Sequence, residues 1–74
     1  MIRYKNLGRD SGINSYELGP DYIRVAFEGL HVYLYTNDIT GEENIEQMKQ
    51  LAERGEGLNE FINKYVRKNC IKES

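Results

Sequence analysis

The stretch Tyr22-Ile23-Arg24-Val25-Ala26-Phe27-Glu28-Gly29-Leu30-His31-Val32-Tyr33-Leu34-Tyr35-Thr36, residues 22–36, decides the fold. Its first half alternates, with Ile23, Val25 and Phe27 on one side and Tyr22, Arg24 and Ala26 on the other, the two-residue period of a half-buried strand. Glu28-Gly29 then makes a tight reversal, and the β-branched and aromatic residues from Leu30 to Thr36 form the returning strand. Just after Thr36 the period changes to about three and a half. Ile45, Met48, Leu51 and Ala52 fall on a single helical stripe.

Upstream, Ile13 to Leu18 reads as a short strand closed by Gly19-Pro20-Asp21, where proline pre-sets the first central position of a turn. The first dozen residues are polar, punctuated by Gly8 and Gly12, and read as a flexible arm. Downstream, Thr40-Gly41-Glu42-Glu43 fits a capping box, and the acids there complement the helix dipole. Gly55 has the usual role of a glycine at a helix C-terminus. A second helix begins near Leu58, because Leu58, Phe61, Ile62, Tyr65, Val66 and Asn69 recur at helical spacing. The expected fold is therefore α+β, a three-stranded antiparallel meander followed by two amphipathic helices packed on one face. It spans residues 13–70, between an arm at 1–12 and a tail at 71–74. Val25, Phe27, Leu51, Phe61 and Ile62 are expected to meet in the core, where Phe61→Ala should cost about 3–5 kcal/mol.

With 74 residues there is room for one domain, and a chain of this size buries only about 60% of the surface it exposes when unfolded. The 39% hydrophobic content is that of a globular protein, and six tyrosines with no tryptophan supply most of the aromatic area. One cysteine, Cys70, and one histidine, His31, exclude an internal disulfide and any metal site of Cys-x-x-Cys or His-x-x-x-His spacing. Neither a signal peptide nor a run of about 20 apolar residues is present, so the expected location is the cytoplasm. Net charge is −2. It is unevenly spread: Asp38 to Glu60 is strongly acidic, whereas Phe61 to Ser74 carries Lys64, Arg67, Lys68 and Lys72 against Glu73.

A Tyr-x-Tyr pair ending a central strand, Tyr33-Leu34-Tyr35, precedes a helix. After the helix comes Gly55-Glu56-Gly57-Leu58-Asn59-Glu60-Phe61-Ile62-Asn63-Lys64-Tyr65, which reads as Gly-x-x-φ-Asn-x-x-Ile-x-x-Tyr. This combination resembles the KTSC domain, found at the C-terminus of some lysyl-tRNA synthetases and as a stand-alone bacterial or phage protein. The likeness covers Ile13 to about Tyr65. It departs from the family pattern at Gly57, usually aromatic, and at Asn37-Asp38-Ile39, where a proline is common. The resemblance implies the fold just described, no established activity, and an expectation of RNA binding from the synthetase context.

No catalytic constellation is legible. His31 and Cys70 sit on elements with no fixed relation, and Glu42, Glu43 and Glu46 are accounted for by capping and by the helix dipole. Gly55-x-Gly57 follows a helix and lacks the Lys-Ser/Thr of a phosphate loop. The expectation is a non-catalytic binding module without cofactor or metal. Its partner would be RNA or, alternatively, a protein or a second copy of itself.

Candidate contact residues are Arg24, Tyr33 and Tyr35 on the sheet and Lys64, Arg67 and Lys68 on the last helix. Two registers are open. A two-residue turn at Glu28-Gly29 puts Tyr22, Arg24, His31, Tyr33 and Tyr35 on a face away from the helices, suited to single-stranded nucleic acid or a protein partner. A three-residue connection shifts the register by one and sends Tyr33 and Tyr35 into the core beside Ile23 and Val25.

Overall fold

The computed structural model describes residues 1–8, 12–29 and 31–73. The chain is a small α+β domain built on an antiparallel sheet of five strands, β1 (Ile2–Arg3), β2 (Ile13–Leu18), β3 (Tyr22–Phe27), β4 (His31–Thr36) and β5 (Ile71–Lys72). Strand order in the sheet follows chain order. Between β4 and β5 run the helices α1 (Asn37–Thr40), α2 (Glu42–Arg54) and α3 (Leu58–Phe61), the last continuing as a π-helix over Ile62–Val66.

The β3–β4 register resolves the parity left open by the sequence. Phe27 pairs with His31, Val25 with Tyr33 and Ile23 with Tyr35, so the connection has three residues. Tyr33 and Tyr35 therefore share the core face with Ile23 and Val25, and the candidate open-face position of Tyr35 is corrected, since its side chain is only 2% exposed. The physical reason lies in area: two tyrosine rings fill a thin core better than Val32 and Leu34 would. In β2 a bulge between Ile13 and Ser15 inserts Asn14 as an extra residue. Ile13 and Tyr16, three apart, thus both reach the core face.

That face meets the helices in one cluster. Ile23, Val25, Tyr35, Tyr16 and Ile13 pack with Ile45, Met48 and Ala52 of α2, with Leu58 of α3, and with Ile62 and Val66 of the π-helix. Leu51, Phe61 and Phe27 lie against the cluster half-buried, at its margin instead of its centre. In the π-helix Ile62 and Val66 turn inward while Tyr65 is 59% exposed, so the expected helical stripe holds for Leu58, Phe61, Ile62 and Val66 and fails for Tyr65 and for Asn69, which is exposed beyond the π-helix. Phe61 and Tyr65 pack on each other at 4.9 Å.

Both chain ends take part in the sheet. Ile2 and Arg3 pair with Tyr16 and Ser15, and Tyr4 is buried against Tyr16 in an edge-to-face contact at 6.5 Å. The Tyr4 hydroxyl accepts the Leu58 N–H at 3.3 Å. The expected loose arm is thus part of the domain over residues 2–4, because a burial site for one large ring lies between β2 and the start of α3; residues 9–11 of it lie outside the described residues. The expected tail supplies β5, with Tyr33 opposite Lys72 and Leu34 opposite Ile71.

The helix boundary also differs from the capping-box expectation. Thr36 caps α1 by accepting the Ile39 N–H, whereas the Thr40 hydroxyl is buried and donates to the Asn69 carbonyl. Gly41, at φ 101°, precedes α2 without a side-chain cap. The Thr40 hydroxyl is thus committed to the returning 67–73 segment and does not cap α2. Gly55 closes α2 as anticipated, in the left-handed conformation at φ 81°, its N–H shared by the Leu51 and Ala52 carbonyls.

Candidate functional site

The register that buries Tyr35 also opens a cleft at the edge of the core. The β4 strand supplies His31, Tyr33 and Tyr35, and Phe27 joins them from β3. Across from them the helical segment supplies Ile62, Asn63, Arg67 and Cys70. The cleft has a volume of about 340 Å³. Asn63 and Arg67 are four residues apart, one turn of the widened helix, which is why both reach the same wall.

The wall chemistry is mixed in a particular way. Phe27 and Tyr33 meet edge to face, centroids 5.6 Å apart and planes at 80°. Tyr33 is half-buried, while His31, Asn63 and Arg67 are exposed. Among the described residues no carboxylate lines the cleft, although the chain as a whole is acidic. Arg67 makes no ion pair among the described residues. Lys72 pairs in register with Tyr33 and so belongs to the same side of the sheet.

At the floor, burial pushes the Tyr35 hydroxyl above its usual tyrosine range, and its hydrogen-bonded neighbour Cys70 adds to the effect. Burial likewise raises the Cys70 thiol, whose sulfur also lies 3.8 Å from the Arg67 carbonyl as a weak donor. A thiol held up in this way stays protonated at neutral pH and is a poor nucleophile. His31 and Cys70 share the cleft, yet nothing in it activates the sulfur. Among the described residues no group of three His, Cys, Asp or Glu side chains could hold a metal ion.

Arg24 sits on the opposite face of the sheet. Its Nε donates to Glu73 Oε1 at 2.6 Å and one of its terminal amines to Glu17 Oε1 at 3.0 Å. The Tyr22 hydroxyl donates to the other Glu17 oxygen at 2.9 Å, and the guanidinium lies 5.3 Å from the Tyr22 ring centroid. Two carboxylates thus occupy this cation. Glu17 is held below the ordinary carboxylate range by the hydrogen bond from Tyr22 and then by that from Arg24.

Of the six candidate residues, the structure brings Tyr33, Tyr35 and Arg67 to one cleft. Arg24 is on the far face, Lys64 lies over the exposed Tyr65 ring at 5.6 Å, and Lys68 is exposed without lining the cleft. Sequence reasoning missed Phe27, His31, Asn63 and Cys70 as lining residues. The spacing of Asn63, Arg67 and Cys70 on one helical stripe was the available signal; the β4 half required the register.

A second hollow of about 300 Å³, lined by Arg3, Lys5, Asn6, Asn14 and Glu28 among others, is polar and carries its own carboxylate. No described helix is long and apolar enough to cross a membrane. No family model, curated protein or solved structure matches the chain.

Proposed function

We propose that this domain is a non-catalytic binding module that engages single-stranded RNA through the cleft between β4 and the C-terminal helical segment. The observation that carries this reading is the cleft lining, where Phe27 and Tyr33 share the cleft with Arg67, which makes no ion pair among the described residues, and no carboxylate is among the described lining residues. Aromatic rings beside a cation suit a base and its phosphate, and stacking of this kind tolerates any sequence. The resemblance to the KTSC domain points the same way. Lys64, Lys68 and Lys72 would extend the contact along the backbone as weaker, screened charges.

Burial raises the Cys70 thiol, which argues against Cys70 as a nucleophile. The test is a titration with single-stranded RNA at rising ionic strength. Binding at ~50 mM salt that weakens steadily as salt is added supports the reading, and no binding at low salt overturns it.

A second reading is favoured by the sheet face that carries Arg24. There Val32 and Leu34 are half-buried, Ile71 is 43% exposed, and the charges are internally compensated, as in a surface that packs on a protein partner or a second copy. Light scattering over a concentration series separates self-association from this RNA role.

A further inference from the structure

The cleft is small. At about 340 Å³ it lies near the lower end of the ~300–1,000 Å³ typical of small-molecule sites, which admits one nucleotide and not a stacked pair. Its walls are also unlike each other. On the sheet side the Tyr33 ring lines the cleft and packs at about a right angle against Phe27, with centroids 5.6 Å apart. On the helix side the Asn63 amide, able both to donate and to accept, stands one turn before Arg67.

The two arginines that flank β4 make an informative contrast. Arg24 is claimed by Glu17 and Glu73, so its charge is spent inside the fold. Arg67 lines a cleft with no carboxylate among its described lining residues and makes no ion pair among the described residues, and its planar fork of donors matches a phosphate bidentately. His31 lies at the same cleft as a second nitrogen donor.

Resting on the RNA reading, we infer that the cleft is a single-nucleotide site. The base lies on Tyr33, the Asn63 amide meets the base edge, and the phosphate is held by Arg67. The rest of an RNA strand passes over Lys72 and the exposed helix surface without a comparable pocket. Occupancy covers Cys70, the one thiol of the chain, which lies half-buried in the cleft wall.

The thiol therefore supplies the test. Cys70 in the full chain is alkylated with iodoacetamide at about pH 9, where the thiolate fraction of a raised thiol is larger, in the presence of ~1 mM uridine 5′-monophosphate or adenosine 5′-monophosphate, the concentration range suited to a one-nucleotide contact. Parallel reactions contain the matching nucleoside or inorganic phosphate. Severalfold slower labelling by the monophosphates alone is expected, and it should vanish in Arg67→Glu, an exposed substitution whose thermal melt should match the parent. Loss of protection in Arg67→Lys as well would support bidentate contact. If RNA binds in the titration but no mononucleotide protects Cys70, the single-nucleotide site is wrong and the broader reading stands; if RNA does not bind either, both are wrong. Equal protection by nucleoside and monophosphate would overturn the role of Arg67.

Discussion

Arg24 and Glu73 stand 49 residues apart in the chain and meet across the sheet face opposite the helices, Nε to Oε1 at 2.6 Å and a terminal amine to Oε2 at 3.3 Å. This fork fastens a strand of only two residues, which is also tied to the sheet by the ladder to β4 and by the Glu73 N–H to the Val32 carbonyl at 2.8 Å. Glu73→Gln should speed amide exchange at Ile71, Lys72 and Glu73 while leaving the melting temperature nearly unchanged, because the pair is partly exposed. Exchange measured residue by residue checks it. High salt should act on the parent as the substitution does.

Acid should weaken the same face. The Glu17 carboxyl is held below its ordinary value of 4.5, first by the Tyr22 hydroxyl and then by Arg24. A depressed folded-state value contributes stability in full above pH 4.5, and that contribution disappears as pH falls through the folded-state value. Thermal melts of the parent and of Glu17→Gln should therefore differ at neutral pH and converge in acid.

At the other end of the scale the sign reverses. The Tyr35 hydroxyl is raised above 10.0 by burial, so its contribution is present below pH 10.0 and is lost as pH rises through the folded-state value. Tyrosinate absorbance should show Tyr35 ionising only as the domain unfolds in alkali. Tyr35→Phe should move the alkaline midpoint upward.

Truncations at the core and at its margin should rank differently. Leu58 is fully buried, and Leu58→Ala should cost about 2–5 kcal/mol in urea denaturation. Phe61 lies half-buried at the margin against Tyr65, so Phe61→Ala should cost less, about 1–3 kcal/mol, rather than the larger value a fully buried ring would give. Equal costs would mean that the helix faces are assigned wrongly.

Two glycines should behave as opposites. Gly55 has φ 81°, and a Cβ there would come within 2.5 Å of Lys5 Cβ. Gly55→Ala should therefore destabilise by more than ~1 kcal/mol. A Cβ on Gly12 would meet nothing within 4 Å, and Gly12→Ala should change stability by less than ~0.5 kcal/mol.

The parts of this fold visible in the sequence are those with a sustained period. Ile23, Val25 and Phe27 announce β3, and Ile45, Met48 and Ala52 announce α2, because each pattern repeats often enough to exclude the other period. A two-residue strand such as β1 or β5 contains no period at all. Its pairing depends on the sheet edge it meets. The choice between a two- and a three-residue connection after Phe27 is a single residue of parity, yet it moved Tyr33, Tyr35 and His31 to the other side of the sheet. The cleft was legible on its helical side, through Arg67, and illegible on its β4 side for that reason. Arg24 looked like a free cation because its partner Glu73 lies so far along the chain.

Strand order that follows chain order has a kinetic consequence. The β2–β3 and β3–β4 hairpins close over a few residues each, whereas β5 can join only after residues 37–70 have folded back to the β4 edge. Loop-closure entropy thus favours forming these hairpins before the segment bearing Arg67 and Cys70 docks. With the hairpins formed and residues 67–73 still undocked, the cleft would lack the wall that Arg67 and Cys70 supply.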